Sequence, residues 1–168
     1  GLPTFVQAAK HLRDKRDIRL VIVGGGSEEK SLKSIIEAEN LVNVVMIPVQ
    51  PRKAIPLILK KSKILFCGLI EREVFKYGIS KNKFYDYMAA ERPIVFASNV
   101  RDSLIDKAGA GITTRAGDAE QLASAIEYIY ENIDTVGKQY GANGRSYVEK
   151  NHTIRVIAGQ FMNVIESC

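Results

Sequence analysis

The sequence predicts an α/β fold: an open, mainly parallel sheet of about five strands with helices on both faces. Three observations lead there. Short apolar runs recur at residues 19–23, 44–47, 64–67, 93–97 and 111–114. They are continuous rather than alternating, as befits parallel strands covered on both sides. Between most of them lie helical stretches, several of about eleven to fourteen residues, which suits β-α-β crossovers. Glycine, proline and asparagine punctuate many of the joins.

Each element has its own justification. Residues 4–15 read as a helix with Phe5, Ala8, Ala9 and Leu12 on one face. Strand 19–23 runs into Gly24-Gly25-Gly26, and residues 28–39 form an amphipathic helix. Strand 44–47 precedes a helix over 51–61, which carries Ile55, Ile58 and Leu59 at helical spacing. Pro51 suits its first turn, where a missing N–H costs nothing. Strand 64–67 leads into a loop over 68–80, a helix opening at Ser80, and strand 93–97. Helix 102–108 and strand 111–114 follow, and Asp118 is a suitable N-cap for helix 119–132. Residues 135–150 and 153–167 are helical without further strands, so 135–168 form C-terminal helices on a single domain. With right-handed crossovers, loops 24–27, 48–52, 68–80 and 97–101 all lie at the C-terminal edge of the sheet, where such folds bind ligands.

Composition narrows the class. With 46% hydrophobic and 26% charged residues the chain is an ordinary globular domain. No run approaches the roughly 18 apolar residues that span a bilayer, and no secretory signal is present. The start at Gly1-Leu2-Pro3 leads to the expectation of a segment excised from a longer protein. Cys67 and Cys168 are too few for a disulfide framework, which points to the reducing cytoplasm. His11 and His152 lack partners at ligand spacing, so no metal site is expected. No Gly-x-Ser-x-Gly elbow occurs. The pair Glu71–Glu73 reads as acid/base groups or as a charged, solvated loop.

The net charge of +5 is unevenly spread: residues 52–83 hold nine basic residues against two acidic ones. Such a concentration points to an anionic partner, either a nucleotide or a membrane surface. Nucleic acid is disfavoured, because no zinc-finger or RNA-recognition spacing occurs and the aromatics do not interleave with the basic residues.

The segment from Ser80 concentrates the chemistry. A helix N-terminus carries about half a positive charge, so lysines there are unfavourable by roughly 0.3–1 kcal/mol each. Lys81 and Lys83 nevertheless follow the plausible N-cap Ser80, with Lys83 where a capping box wants Glu or Gln. A bound anion, most simply a nucleotide diphosphate, would compensate. At about 100° per residue, Phe84, Tyr87 and Met88 share one face. Asn82, Asp86 and Ala89 share the other, with Ala90 nearby. Asp86 is placed to accept from ribose hydroxyls; Asn82 and Asp86 read equally as a solvated helix face. Gly24-Gly25-Gly26-Ser27 sits between strand and helix like a phosphate-binding turn, and also reads as a tight turn. It is neither the dinucleotide fingerprint nor a Walker loop.

Taken in order, these residues resemble a known family. Val21-Ile22-Val23-Gly24-Gly25-Gly26, Asn43-Val44-Val45-Met46, the run from Gly78 to Ala90, Gly109-Ala110-Gly111-Ile112 and Gly117-Asp118-Ala119-Glu120 are similar to the C-terminal, donor-binding half of retaining GT-B glycosyltransferases, the glycosyl transferases group 1. The wording around 80–90 resembles the N-acetylfucosamine transferase-like branch. The resemblance implies one Rossmann-like half of a GT-B fold that holds a nucleotide-sugar, commonly a UDP-sugar. By it, Gly25 and Gly26 lie near the phosphates, Asn82 and Lys83 at the donor pocket, and Asp86 on the ribose. Lys83 is the expected catalytic residue, and Lys76, Ser80 and Lys81 complete the donor contacts. The chain departs from the family pattern at three places. Gly78 stands where the first paired glutamate is usual, Asp86 replaces the usual Glu, and Glu91 replaces a glycine before Arg92-Pro93.

The resemblance further implies an N-terminal acceptor domain, which the final helix would contact through Ile154, Ile157, Phe161, Val164 and Ile165. That stripe also reads as packing on its own sheet. Alone, the fragment is expected to bind donor weakly and not turn over. Neither metal nor cofactor is expected, since lysines and helix N–H groups would serve the leaving diphosphate. The implied setting is bacterial surface polysaccharide synthesis, in the cytoplasm or peripheral at the inner face of the membrane. The chief rival is a non-catalytic nucleotide-binding α/β regulatory module, followed by an NAD(P) enzyme.

Overall fold

The computed structural model describes residues 1–69 and 82–167. Its strands are β1 (Leu20–Val23), β2 (Val44–Ile47), β3 (Leu65–Gly68), β4 (Ile94–Ala97) and β5 (Gly111–Thr114). Helices α1 (Leu2–His11), α2 (Glu29–Ala38), α3 (Ile55–Lys61) and α4 (Asn82–Ala89) alternate with the first four. α5 (Leu104–Ala108), α6 (Ala119–Glu131), α7 (Lys138–Asn151) and α8 (Ile154–Glu166) complete the chain. Every pairing is parallel, as expected for strands joined by helical crossovers.

One feature differs from the expectation of a single open sheet. The ladder is interrupted: β1 and β2 form one sheet, and β3, β4 and β5 another. The two are held in one layer by shared packing. Val6 and Ala9 of α1 and its C-cap Leu12 are buried together with Leu20 and Ile22 of β1, Val95 of β4, and Leu122, Ile126 and Ile129 of α6. The Phe5 ring of α1 stacks on Phe66 of β3 at 4.5 Å between centroids. A second core lies on the other face. There Phe84 and Met88 of α4 meet Phe96, Ile105 and Ala110, with Phe84 edge-on to Phe96 at 5.0 Å.

Local chemistry accounts for the helix boundaries. Helix 51–61 opens with a 3-10 turn at Arg52–Ala54, because Pro56 lies in the first turn of α3. Ser103 and Asp106 form a reciprocal capping box at α5. The Asp118 carboxylate accepts from the Gln121 N–H at 2.9 Å, which starts α6. A π-turn at Ile133–Gly137 leads into α7.

α7 fixes α4 in place. A Cβ on Gly141 would come within 2.6 Å of the Glu91 carbonyl oxygen, and one on Gly144 within 3.1 Å of Met88 and Ala110. The Arg145 guanidinium donates to the Ala89 carbonyl at 2.6 Å, satisfying an orphan acceptor at the end of α4. Beyond α7, the His152 ring sits against Tyr85 and Tyr147.

Candidate functional site

The C-terminal end of β1, the start of α2 and the exposed side of α4 open onto one cavity of about 1060 Å³. The Gly24 N–H donates to the Ile47 carbonyl at 2.9 Å, the last link of β1 to β2. Its φ of 135° is open to glycine and rarely to other residues. The backbone then passes Gly25 and Gly26, both exposed and both lining the cavity. A Cβ on Gly25 would lie 3.3 Å from the Glu29 carboxylate and 3.5 Å from Val49, whereas Gly26 meets nothing within 4 Å. The Gly26 carbonyl accepts from the Glu29 N–H at 3.1 Å, and no side chain caps the start of α2.

Helix α4 forms the opposite wall. Phe84 and Met88 are buried, while Asn82, Lys83, Asp86 and Ala89 are exposed, so both faces lie where the 3.6-residue period places them. Lys83 and Asp86, one turn apart, both line the cavity. Neither engages an ion pair among the described residues. Asn82 is exposed at the first position of α4 but is not part of the cavity wall. Lys76, Ser80 and Lys81, and with them the N-cap, lie outside the described residues. The structure thus gathers Gly25, Gly26, Lys83 and Asp86 around one opening.

The cavity adds residues that the sequence did not single out. Glu28 and Glu29 line the wall beyond the glycine run, and Glu29 is paired with Lys33 at 2.8 Å. Their position just beyond Gly24–Ser27 was the available signal, but only a closed cleft turns adjacency into a shared wall. Tyr87 lines the cavity as well. Burial, reinforced by Cys67 and the Asp86 carboxylate, pushes its phenol up to about 12, so it is neutral at physiological pH.

The arrangement pairs an ammonium that has no carboxylate partner among the described residues, and bare glycine backbone, with carboxylates on both walls. It suits a ligand with an anionic group at one point and hydroxyl donors at others. Among the described residues no cluster of three His, Cys, Asp or Glu could hold a metal ion, and no helix is long and apolar enough to cross a membrane.

Residues 1–132 match the family described as glycosyl transferases group 1. The chain belongs to that family. No curated protein matches the sequence. Among solved structures, a glycosyltransferase from Rickettsia africae superposes with a TM-score of 0.79 at 19% identity, covering 98% of this chain and 43% of that one. HepE of Anabaena, solved with UDP and glucose, gives 0.78 at 16% identity over 100% of this chain and 45% of its own. The C-terminal domain of the group 1 family protein LpcC from Francisella tularensis gives 0.74 at 16% identity, over 92% of this chain and 80% of that one. The fold is therefore the Rossmann-like C-terminal half of a GT-B architecture, and the chain spans less than half the length of the two-domain neighbours.

Glu91, just past the end of α4, has an unusual backbone. Its φ of 58° places it in the left-handed region. That is the conformation glycine would adopt there without strain.

Proposed function

We propose that this chain is the donor-binding domain of a glycosyltransferase that moves a sugar from a nucleotide diphosphate to a glycan or lipid-linked acceptor with retention of configuration. One observation carries the reading: Lys83 and Asp86 lie one turn apart on the wall of the cavity that Gly25 and Gly26 also line. In this reading Asp86 accepts from the ribose hydroxyls, and Gly25 and Gly26 let the diphosphate approach the backbone. As the bond from the anomeric carbon to the diphosphate oxygen breaks, negative charge grows on the leaving group, and the Lys83 ammonium stabilises it. The acceptor oxygen forms the new bond to that carbon and passes its proton to the departing diphosphate oxygen.

UDP in the HepE structure supports a uridine donor. An amino-sugar donor in the N-acetylfucosamine transferase-like manner, and a place in bacterial surface polysaccharide synthesis, follow from the motif resemblance. No metal is required in this scheme, since the ammonium meets the charge that a divalent ion would otherwise meet. Lys76, Ser80, Lys81 and Asn82 serve as further donor contacts, and an N-terminal acceptor domain completes the enzyme. Arg52, Lys53, Lys60, Lys61 and Lys63 are all exposed, which favours attachment to the anionic inner face of a membrane that presents a lipid-linked acceptor.

Calorimetric titration of the chain with UDP, GDP, ADP and NAD tests the binding half of the proposal. Saturable binding of UDP or a UDP-sugar is expected, whereas NAD binding without any nucleoside diphosphate would overturn it. The catalytic half is tested by Lys83→Ala in the intact enzyme. Turnover should fall by about 10²–10³, the usual loss when one transition-state charge partner is removed. Unchanged rates would refute the assignment.

A further inference from the structure

The charges that line the cavity are unevenly placed along the strands. Arg19 precedes β1, Lys61 ends α3 and Lys63 precedes β3, so these three lie at the N-terminal edge of the sheet. At the C-terminal edge, Lys83 is the cationic lining residue among those described. Three carboxylates line that edge with it: Asp86 on its own helix, and Glu28 and Glu29 at the start of α2.

One of these carboxylates stands where a phosphate is expected. Helix α2 begins without a side-chain cap, and free N–H groups at a helix start favour an anion. Glu29, in the first turn, meets that field with a charge of its own. Its carboxylate lies 3.3 Å from the place a Cβ on Gly25 would take, so it overlooks the backbone that the proposed function gives to the diphosphate. Lys33, one turn on, holds it through an ion pair at 2.8 Å. Lys33 is exposed and does not line the cavity, so this wall presents the acid and not the base.

A carboxylate at that point separates two ligands that share every nucleotide atom. In a nucleotide-sugar the terminal phosphate is esterified and carries a single negative charge. In the nucleoside diphosphate left after transfer it is free. Above a pH of about 6, the second pKa of a phosphate monoester, it then carries roughly one charge more. We infer that Glu29, fixed by Lys33 over the Gly25 backbone, determines specificity between donor and product. It admits the esterified diphosphate and repels the free one, which favours product release. This role rests on the donor site proposed above.

Titration of the chain with UDP and with its β-methyl ester tests this, since the ester keeps the nucleotide and lacks the added charge. Glu29→Gln should tighten UDP about three- to tenfold more than it tightens the ester, the effect of one like charge across several ångströms of partly solvated space. The difference should shrink at about 1 M salt, where charges are screened within roughly 3 Å. The replacement leaves the fold intact, because the Glu29–Lys33 pair is partly exposed and such pairs contribute little. Glu120→Gln removes an equal charge from an exposed residue of α6 that does not line the cavity, and it should leave the ratio of UDP to ester affinity unchanged. The same change of ratio in both variants would mean that net charge decides rather than position, and would overturn the inference. A ratio in Glu29→Gln equal to that of the parent chain would overturn it too, with the donor site left standing. Absence of UDP binding to parent and variant alike would instead overturn the donor site, and this role with it.

Discussion

Lys83 stands in the first turn of α4, against the field of its own helix, and has no carboxylate partner among the described residues. Asp86 stands one turn on, with no ion-pair partner among the described residues. Removing the Asp86 charge should therefore weaken nucleoside binding rather than the fold. Hydrogen bonds to a charged group contribute about 1.5–3 kcal/mol each, so Asp86→Asn should reduce UDP affinity by an order of magnitude or more while leaving the thermal midpoint nearly unchanged. Calorimetry and a melting curve on the same sample separate the two effects. Tyr87 gives a second prediction at this scale. Its phenol ionises near 12 in the folded chain and near 10 when unfolded. Folding therefore retains a proton that the unfolded chain has lost. Stability that is fully present below pH 10 should decline by about 2–3 kcal/mol as pH rises from 10 to 12. Tyr87→Phe should remove that component, which urea titrations of both proteins across this range would reveal. The two faces of α4 were legible in the sequence because helical period alone divides Phe84 and Met88 from Asn82, Asp86 and Ala89. The part played by Glu28, Glu29 and Tyr87 was not, since it depends on which walls the fold brings together.

At the scale of elements, the strands were legible to within a residue because parallel strands advertise themselves as continuous β-branched runs. Helix ends were less so. Residues 52–54 form a 3-10 turn rather than α-helix because Pro56 has no N–H to offer an α-helical ladder, and the helix expected over 102–108 starts only after the Ser103 cap. The interruption between β1 and β3 could not be read at all, because strand count and hydrophobicity carry no record of which edges meet. The turn after α4 shows how a non-glycine residue is held in a left-handed backbone. Glu91 adopts a φ of 58° at the helix end, while Arg145 and the glycines of α7 hold the same turn from outside. The left-handed conformation costs a non-glycine residue roughly 1–2 kcal/mol, partly offset because glycine gains entropy in the unfolded chain. Glu91→Gly should stabilise the domain by about 0.5–1 kcal/mol and raise the midpoint by a few degrees. Gly141→Ala should do the opposite, because its methyl group would approach the Glu91 carbonyl at 2.6 Å. Opposite shifts in paired melting curves are the expected result.

At the scale of the whole molecule, the two ends of the chain differ in how they are held. α1 is wedged into the core between β1 and α6, whereas α8 contributes no buried residue. Ile154 is 89% exposed and Phe161 66%, and Ile157, Met162, Val164 and Ile165 lie on the same open helix. An apolar patch of this size on a folded domain marks a contact surface rather than a source of internal stability. The sequence left two readings of this stripe open, packing on its own sheet or on another domain, and the exposure speaks against the first. Stability follows the apolar area removed from water. A chain ending at His152 loses almost none of that area and keeps the His152 ring against Tyr85 and Tyr147. Its thermal midpoint should lie within about 2–4 °C of the parent, the shift that corresponds to roughly 1 kcal/mol in a domain of this size. Its tendency to self-associate should fall, because the exposed stripe is gone. Light scattering and a melting curve on the shortened chain check both. A drop comparable to the loss of a core helix would mean that α8 packs on this domain in solution and is not a surface held ready for a second one.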